Sequence, residues 1–388
     1  MAQVIFWVAV ALLAYSYVVF PMIVFLRGRF FRQPYKTADI TPSISIIIAA
    51  YNEQNDIGAK LTNMLSLDYP KDKVEIIVAS DGSEDDTNTI VSGFTDQGVK
   101  LLALPRQGKA GALNSAVAAA TGEILVFSDA NSIFNEGALR ALVAPFADPS
   151  VGGVAGNQRY LPKTATVASI DGEQSYWNFD RQMKNSQSKA GNAISATGAI
   201  YSIRRALFQT VPTGVTDDFV TSTSVIAQGY RLVFAPTAVA YEPVAGSSDR
   251  EFGRKVRIMT RGLRAVLVMR ELLNPFRYGF YALQLFSHKV LRRLMFVPLI
   301  ALLVVNPFLW DAGLFYQITM LLQIAFYGCA LLGLLLANTR FGSLKFFSMP
   351  YYFCLIYTAA LIATLNILRG RTIDRWQPQH QTVQVRSW

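Results

Sequence analysis

The chain has 388 residues, 52% of them hydrophobic and only 16% charged, with a net charge of +10 at neutral pH. An ordinary soluble domain carries about 25% charged residues, so this composition argues against a wholly soluble globule. The two cysteines, Cys329 and Cys354, lie inside apolar stretches and offer no disulfide framework, and His288 and His380 cannot make a histidine-rich metal site. The cationic excess comes without a zinc, helix-turn-helix or ribonucleoprotein motif. It points to anionic lipid or phosphate-bearing small molecules as partners, not to nucleic acid.

Residues 1–26 carry no charge and suit a membrane helix. The run is longer than a signal-peptide core and lacks a basic lead, which predicts an uncleaved anchor. Arg27, Arg29, Arg32 and Lys36 follow directly and predict that the next segment is cytoplasmic. Residues 40–270 alternate short apolar runs with Gly, Asp, Asn and Ser clusters, and have the length of one soluble domain.

Inside that domain, β-branched runs predict strands over 43–50, 74–80, 99–104 and 124–128. Helical spacing predicts helices over 55–66, 84–94 and 110–119, the first with Ile57, Leu61, Met64 and Leu65 on one side. This alternation predicts an α/β domain with a mostly parallel sheet. Ligands of such sheets sit beyond the carboxyl ends of the strands. The residues standing there are Tyr51-Asn52-Glu53, Asp81-Gly82-Ser83 and Asp129-Ala130-Asn131. No G-x-G-x-x-G follows the first strand and there is no P-loop, which excludes the usual dinucleotide and P-loop readings.

Asp129 and Asn131 can present two oxygens to one divalent cation, or form an Asx turn capping the next helix; spacing leaves both open. Asp81 reads as a nucleotide contact or as half of an Asp-Gly turn. Lys109, just before a helix, suits phosphate, although taken alone a solvated loop lysine is the commoner case. Asp217 and Asp218 form a carboxylate pair in which one member can act as general base; the pair can also cap the helix that follows. Trp177 is a candidate platform for an acceptor sugar. Arg254, Arg257, Arg261 and Arg264 step by three, four and three, placing them on one helix face, for a membrane surface or a pyrophosphate. Residues 271–293 read as an amphipathic interfacial helix, 294–369 as three more membrane helices, and 370–388 as a basic tail. Four spans would place that arginine-bearing tail opposite the cytoplasmic domain, against the positive-inside tendency.

Taken together, these motifs resemble the inverting family 2 glycosyltransferases, in their membrane-bound polysaccharide synthase branch. Ala49-Ala50-Tyr51-Asn52-Glu53 resembles the family's opening nucleotide-binding segment, and Asp81-Gly82-Ser83 its second strand-end aspartate. Gly108-Lys109-Ala110-Gly111-Ala112-Leu113-Asn114 resembles its lysine-bearing loop, and Ser128-Asp129-Ala130-Asn131 its D-x-D metal motif with Asn in the second acidic place. The segment Thr197–Arg205, containing Gly198, resembles the acceptor lining, and Thr216-Asp217-Asp218 the motif that carries the base.

The resemblance implies a GT-A-type fold, a UDP-type sugar donor, Mg²⁺ or Mn²⁺, and single displacement with inversion. It implies Asp218 as catalytic base and Asp129 with Asn131 as metal ligands. Ala50, Tyr51, Asn52, Glu53, Asp81, Lys109, Asp129, Arg257 and Arg261 are implied on the donor side, and Gly198, Asp217 and Trp177 on the acceptor side. Where processive synthases carry Q-x-x-R-W, this chain has Arg254-Lys255-Val256-Arg257-Ile258, which keeps the arginine and weakens the case for a long polymer. The expected activity is sugar transfer to a glycan or lipid-linked acceptor at the inner face of a bacterial cytoplasmic membrane, alongside export or assembly proteins. Two alternatives remain: charging a polyprenyl phosphate with one sugar, and a non-catalytic nucleotide-binding subunit of an export assembly.

Overall fold

The computed structural model describes residues 1–161, 168–243, 248–337, 339, 341, 342 and 344–371. Its contacts group into two units. One comprises Arg32–Leu161 and Gln187–Ala245; the other comprises Met1–Phe31, Pro162–Ser186 and Gly246–Thr372.

The first unit is built on an eight-stranded sheet: β1 (Ile44–Ala50), β2 (Val74–Asp81), β3 (Val99–Leu104), β4 (Ile124–Asp129), β5 (Ile133–Phe134), β6 (Val151–Leu161), β7 (Tyr201–Arg204) and β8 (Arg231–Pro243). The spatial order is β3-β2-β1-β4-β7-β6-β8-β5. β1 is buried along its whole length, as a continuous Ile/Ala run covered on both faces must be. It runs parallel to β2 and β4, and β2 runs parallel to β3, so four strand ends open on one edge. The helix Ile57–Ser66 packs Ile57, Leu61 and Met64 into the same core as Ile46, Ile48, Val78 and Val126. These elements fall within a few residues of the sequence reading.

The far side of the sheet departs from that reading. β7 pairs antiparallel with β4 and β6, β5 pairs antiparallel with β8, and β6 runs parallel to β8 with two register shifts. The sheet is therefore mixed, though mostly parallel. None of these four strands was expected. β5 and β7 are too short for a pattern to show, and β6 opens on Gly152, Gly153 and Gly156, which blur the alternation.

Among the described residues of the second unit, three helices are long and apolar enough to cross a membrane: Ala2–Phe30, Leu314–Leu335 and Lys345–Leu368. The span expected from residue 294 is not one straight helix. Phe280–Leu294 and Phe296–Ala312 form a pair bent by 44°. Pro298 and Pro307, which lack an N–H to donate, sit in the second segment, and a π turn and a 3₁₀ turn interrupt the first. The interfacial helix expected over 271–293 is likewise broken into short turns. The basic helix Ser248–Val268 was expected at the end of the soluble domain, within 40–270. It packs instead along Lys345–Leu368, with the Lys255 ammonium over the Tyr352 ring.

Candidate active site

The exits of β1 and β2 are tied to each other. Asn52 adopts left-handed backbone (φ 52°), which asparagine tolerates better than most residues. Its N–H donates to Ser83 Oγ at 3.1 Å, and its Oδ1 accepts the Glu84 N–H at 2.8 Å. Ala50 is buried in the strand, and the Tyr51 ring lies under the Arg106 guanidinium. Asp81 has no solvent exposure. Its Oδ1 accepts the N–H groups of Gln107 and Gly108 at 2.7 and 3.0 Å, and its Oδ2 pairs with Arg106 at 3.0 Å. The aspartate expected to meet a nucleotide thus has both oxygens committed to the loop that leads into the helix Lys109–Ala118.

That loop ends at Gly108, whose φ of 85° an L side chain would resist, and it delivers Lys109 to the centre of the site. Lys109 Nζ lies 2.7 Å from Asp129 Oδ1 at the end of β4 and 3.2 Å from Asp217 Oδ2. Burial pulls the ammonium down, but Asp129, Asp217 and Asp218 outweigh it and hold the pKa above the ordinary lysine value. Asn114, one turn further along this helix, clamps the chain ahead of Asp217. Its Nδ2 donates to Val211 O at 3.0 Å and its Oδ1 accepts the Val211 N–H at 2.9 Å. The helix Asp217–Ala227 starts with both aspartates in its first turn, where the helix dipole favours negative charge.

Asp218 is only partly buried, and its Oδ1 accepts the Phe219 N–H at 2.8 Å. Burial and then Asp217 push its carboxyl up to about 6, against the pull of Lys109. A carboxylate with that pKa is ionised at neutral pH yet basic enough to take a proton from a hydroxyl. Gly198 closes the other side. A Cβ there would stand 2.7 Å from Asp129 Oδ2, so only glycine lets the backbone approach this carboxylate.

Three titratable groups lie deeper. Glu53 is buried, and burial first, then Asp56 and Asp129, push its carboxyl up to about 8. Lys60 is fully buried, and desolvation pulls it down to about 7 although Asp129 and Glu242 oppose the shift. Glu242, near the end of β8, is pushed up to about 6 by burial and then Asp129. Lys60, Arg106 and Glu242 were absent from the sequence reading. The signal for Lys60 was available, since it stands three residues after Ile57 on the apolar face of its helix, where a lysine needs a reason to be.

The group implied here is Mg²⁺ or Mn²⁺. Among the described residues no three His, Cys, Asp or Glu side chains gather to cage an ion. A carboxylate and an amide oxygen one residue apart, beside a lysine suited to phosphate, fit a hard cation that keeps waters and substrate phosphates in its shell. Arg257 and Arg261 lie on the basic helix of the other unit. Burial, then Arg261 and Arg254, hold the Arg257 guanidinium below its ordinary value. Ile258, in the place of the synthase tryptophan, is 45% exposed. The side chain of Trp177 lies outside the described residues.

A mostly parallel sheet with acidic and amide residues at three strand ends, a central lysine and a helix-borne aspartate pair define a GT-A-type glycosyltransferase domain. Residues 45–211 match the family described as Glycosyl transferase family 2, and the chain carries a domain of that family. Among curated proteins it is similar to poly-beta-1,6-N-acetyl-D-glucosamine synthase of Staphylococcus aureus strain MSSA476, 26% identical over 243 residues that cover 61% of this chain and 58% of that one. The Staphylococcus epidermidis synthase is 31% identical over 205 residues, covering 52% and 48%. The chain thus spans about half the length of these relatives. A solved mannosyltransferase of Pyrobaculum calidifontis, in complex with GDP-Man and Mn²⁺, shares the fold with a TM-score of 0.69 and 24% identity, covering 95% of this chain and 99% of that one.

Proposed function

We propose that this protein transfers a sugar from a nucleotide-diphosphate donor, most simply a UDP-sugar, to a glycan or lipid-linked acceptor at the cytoplasmic face of a membrane, with inversion. The observation that carries this reading is Lys109 Nζ, held between Asp129 at 2.7 Å and Asp217 at 3.2 Å. It joins the donor-side strand end to the helix that bears the base. Asp218 takes the acceptor hydroxyl proton as the oxygen attacks the anomeric carbon, and the nucleoside diphosphate leaves on the opposite face. Asp217 and Asp129 hold Lys109 charged, ready for the diphosphate. A Mg²⁺ or Mn²⁺ ion held by Asp129 and Asn131 would supply charge neutralisation for that leaving group. Tyr51, Asn52 and Glu53, with the loop that Asp81 shapes, take the nucleoside side. Arg257 and Arg261 are assigned to the diphosphate on their charge alone.

Crowding of Arg254, Arg257 and Arg261 in the unit that carries the apolar helices favours a second reading, a lipid phosphate as acceptor. The test is nucleotide release by the detergent-purified protein from a panel including UDP-GlcNAc and GDP-Man, with Mg²⁺ or Mn²⁺ and native lipids. Release from one donor, abolished by chelator, is expected; no release from any donor overturns the proposal. Product mass then separates glycan ladders from a single lipid-phosphate sugar.

A further inference from the structure

The turn Asp129–Asn131 is gripped from both sides by buried groups with no assigned role in the transfer. From the helix Ile57–Ser66, Lys60 Nζ donates to Ser128 Oγ at 2.7 Å and to Ser132 O at 2.5 Å, and lies 4.1 Å from the centre of the Phe134 ring. One turn along the same helix face, Asn63 Nδ2 donates to Phe134 O at 3.0 Å, and its Oδ1 accepts the Phe134 N–H at 2.8 Å. From β8, Glu242 Oε1 accepts the Ser132 hydroxyl at 2.7 Å, and its Oε2 accepts from Gln158 Nε2 at 2.5 Å. The Ser128 hydroxyl donates to Ala199 O at 2.9 Å, next to Gly198.

We propose that Lys60 and Glu242 are positioning residues. They bracket the two serines that flank the Asp129–Asn131 turn and so set the angle at which Asp129 and Asn131 offer their oxygens to a divalent cation. The two charges are compensated through Ser132, which gives its carbonyl to the lysine and its hydroxyl to the glutamate. Burying opposite charges seldom stabilises a fold more than apolar groups of similar volume would. What the pair supplies here is direction. A carbonyl and a hydroxyl of one residue are drawn opposite ways, which leaves the turn between Ser128 and Ser132 one arrangement. Outer groups that hold metal ligands typically matter 10–100-fold in metal affinity or activity. The functional consequence rests on the glycosyl-transfer reading, whereas the rigidity of the turn does not.

The experiment compares the detergent-purified parent with Lys60→Met and with Ser132→Ala, the milder change that releases Glu242 without removing a charge. Mn²⁺ binding is titrated by electron paramagnetic resonance in the presence of UDP, and nucleotide release is measured alongside. The expected result is Mn²⁺ affinity weakened about tenfold, with turnover at saturating donor lowered similarly while the donor KM stays near the parent's. The unfolding temperature of Ser132→Ala should stay close to the parent's, which a merely structural role would not combine with a loss of metal. Mn²⁺ affinity and turnover within twofold of the parent, in folded variants, overturns the proposal. Should Lys60→Met fail to fold, Ser132→Ala decides. Should the parent bind no Mn²⁺ and release no nucleotide, the functional reading falls. Amide exchange over 128–134 still judges the clamp, which faster exchange in Ser132→Ala supports and unchanged exchange refutes.

Discussion

The two sides of the sheet divide the chemistry unequally. The parallel side, β3-β2-β1-β4, ends in Asn52, Asp81 and Asp129, and its polar groups are largely spent holding one another and the loop before Lys109. The mixed side, β7-β6-β8-β5, sends little to that edge directly. Gly198 precedes β7 and leaves room for Asp129, the chain after β7 leads to Asp217 and Asp218, and β8 brings Glu242 beneath the turn. One side shapes a cradle, and the other supplies the aspartate proposed as base, with Asp217 beside it. The difference teaches that strand-end carboxylates in an α/β sheet are not equivalent. Asp81 has no oxygen left to offer, Asp129 has one tied to a lysine, and Asp218 remains partly open.

The sharpest way to break that division is Asp218→Asn. The proposed base is lost while its place in the helix is kept, so turnover should fall by about 10³-fold with an unchanged melting curve. Near-parental turnover would move the base elsewhere. The same group sets the acid limb of the pH profile. A base pushed up to about 6 is protonated, and idle, below that value. The rate should therefore fall about tenfold for each pH unit below 6 and level off above it. A limb near 4 would mean that burial and Asp217 do not act on Asp218 as described.

Next in size, Lys109→Ala removes the link between the two sides and leaves Asp129 and Asp217 facing each other unneutralised. Turnover should drop about 100-fold, and unfolding should come at lower temperature. Gly198→Ala tests the close approach from the mixed side. Its Cβ would press on Asp129 Oδ2 at 2.7 Å. A metal requirement shifted to about tenfold higher Mn²⁺ is expected, and an unshifted requirement would show that the carboxylate can move aside freely.

The smallest effect is on stability and belongs to the parallel side. Glu53 titrates near 8 when folded, against an ordinary 4.5. Between those values the folded state keeps a proton that the unfolded state gives up, so the group costs stability increasingly from pH 4.5 to 8. Glu53→Gln, which mimics the protonated form, should melt several degrees above the parent at pH 8 and level with it at pH 4. A gain of equal size at both pH values would refute this account.

How far the site could be read from the chain follows from how local each signal is. β1, β2 and β4 show as apolar runs because they are buried along most of their length, β3 shows as the edge run Val99–Leu104, and the residues after β1, β2 and β4 could be placed at the ligand edge from topology alone. The aspartate pair was visible as a motif, but its partner was not. Nothing in Thr216-Asp217-Asp218 says that Lys109, more than 100 residues earlier, sits 3.2 Å from one of them. That depends on Asn114 fixing Val211, a contact across 97 residues. Lys60 was passed over because a helical wheel counts apolar residues, and the charge on that wheel was the informative exception. Glu242 was passed over because β8 has a register shift against β6 and carries no clean alternation.

Sequence alone determined what short-range physics controls: the parallel α/β core, the charge-poor helices, and the acidic and amide clusters where strands end. Tertiary structure alone decided which of those groups are spent and which are available. Protonation, ion pairing and burial depend on what long-range strand pairing places within about 4 Å, where opposite charges in a poorly solvated interior interact strongly. Asp81 and Asp129 read alike along the chain; the fold surrounds one with donors and leaves the other facing Lys109.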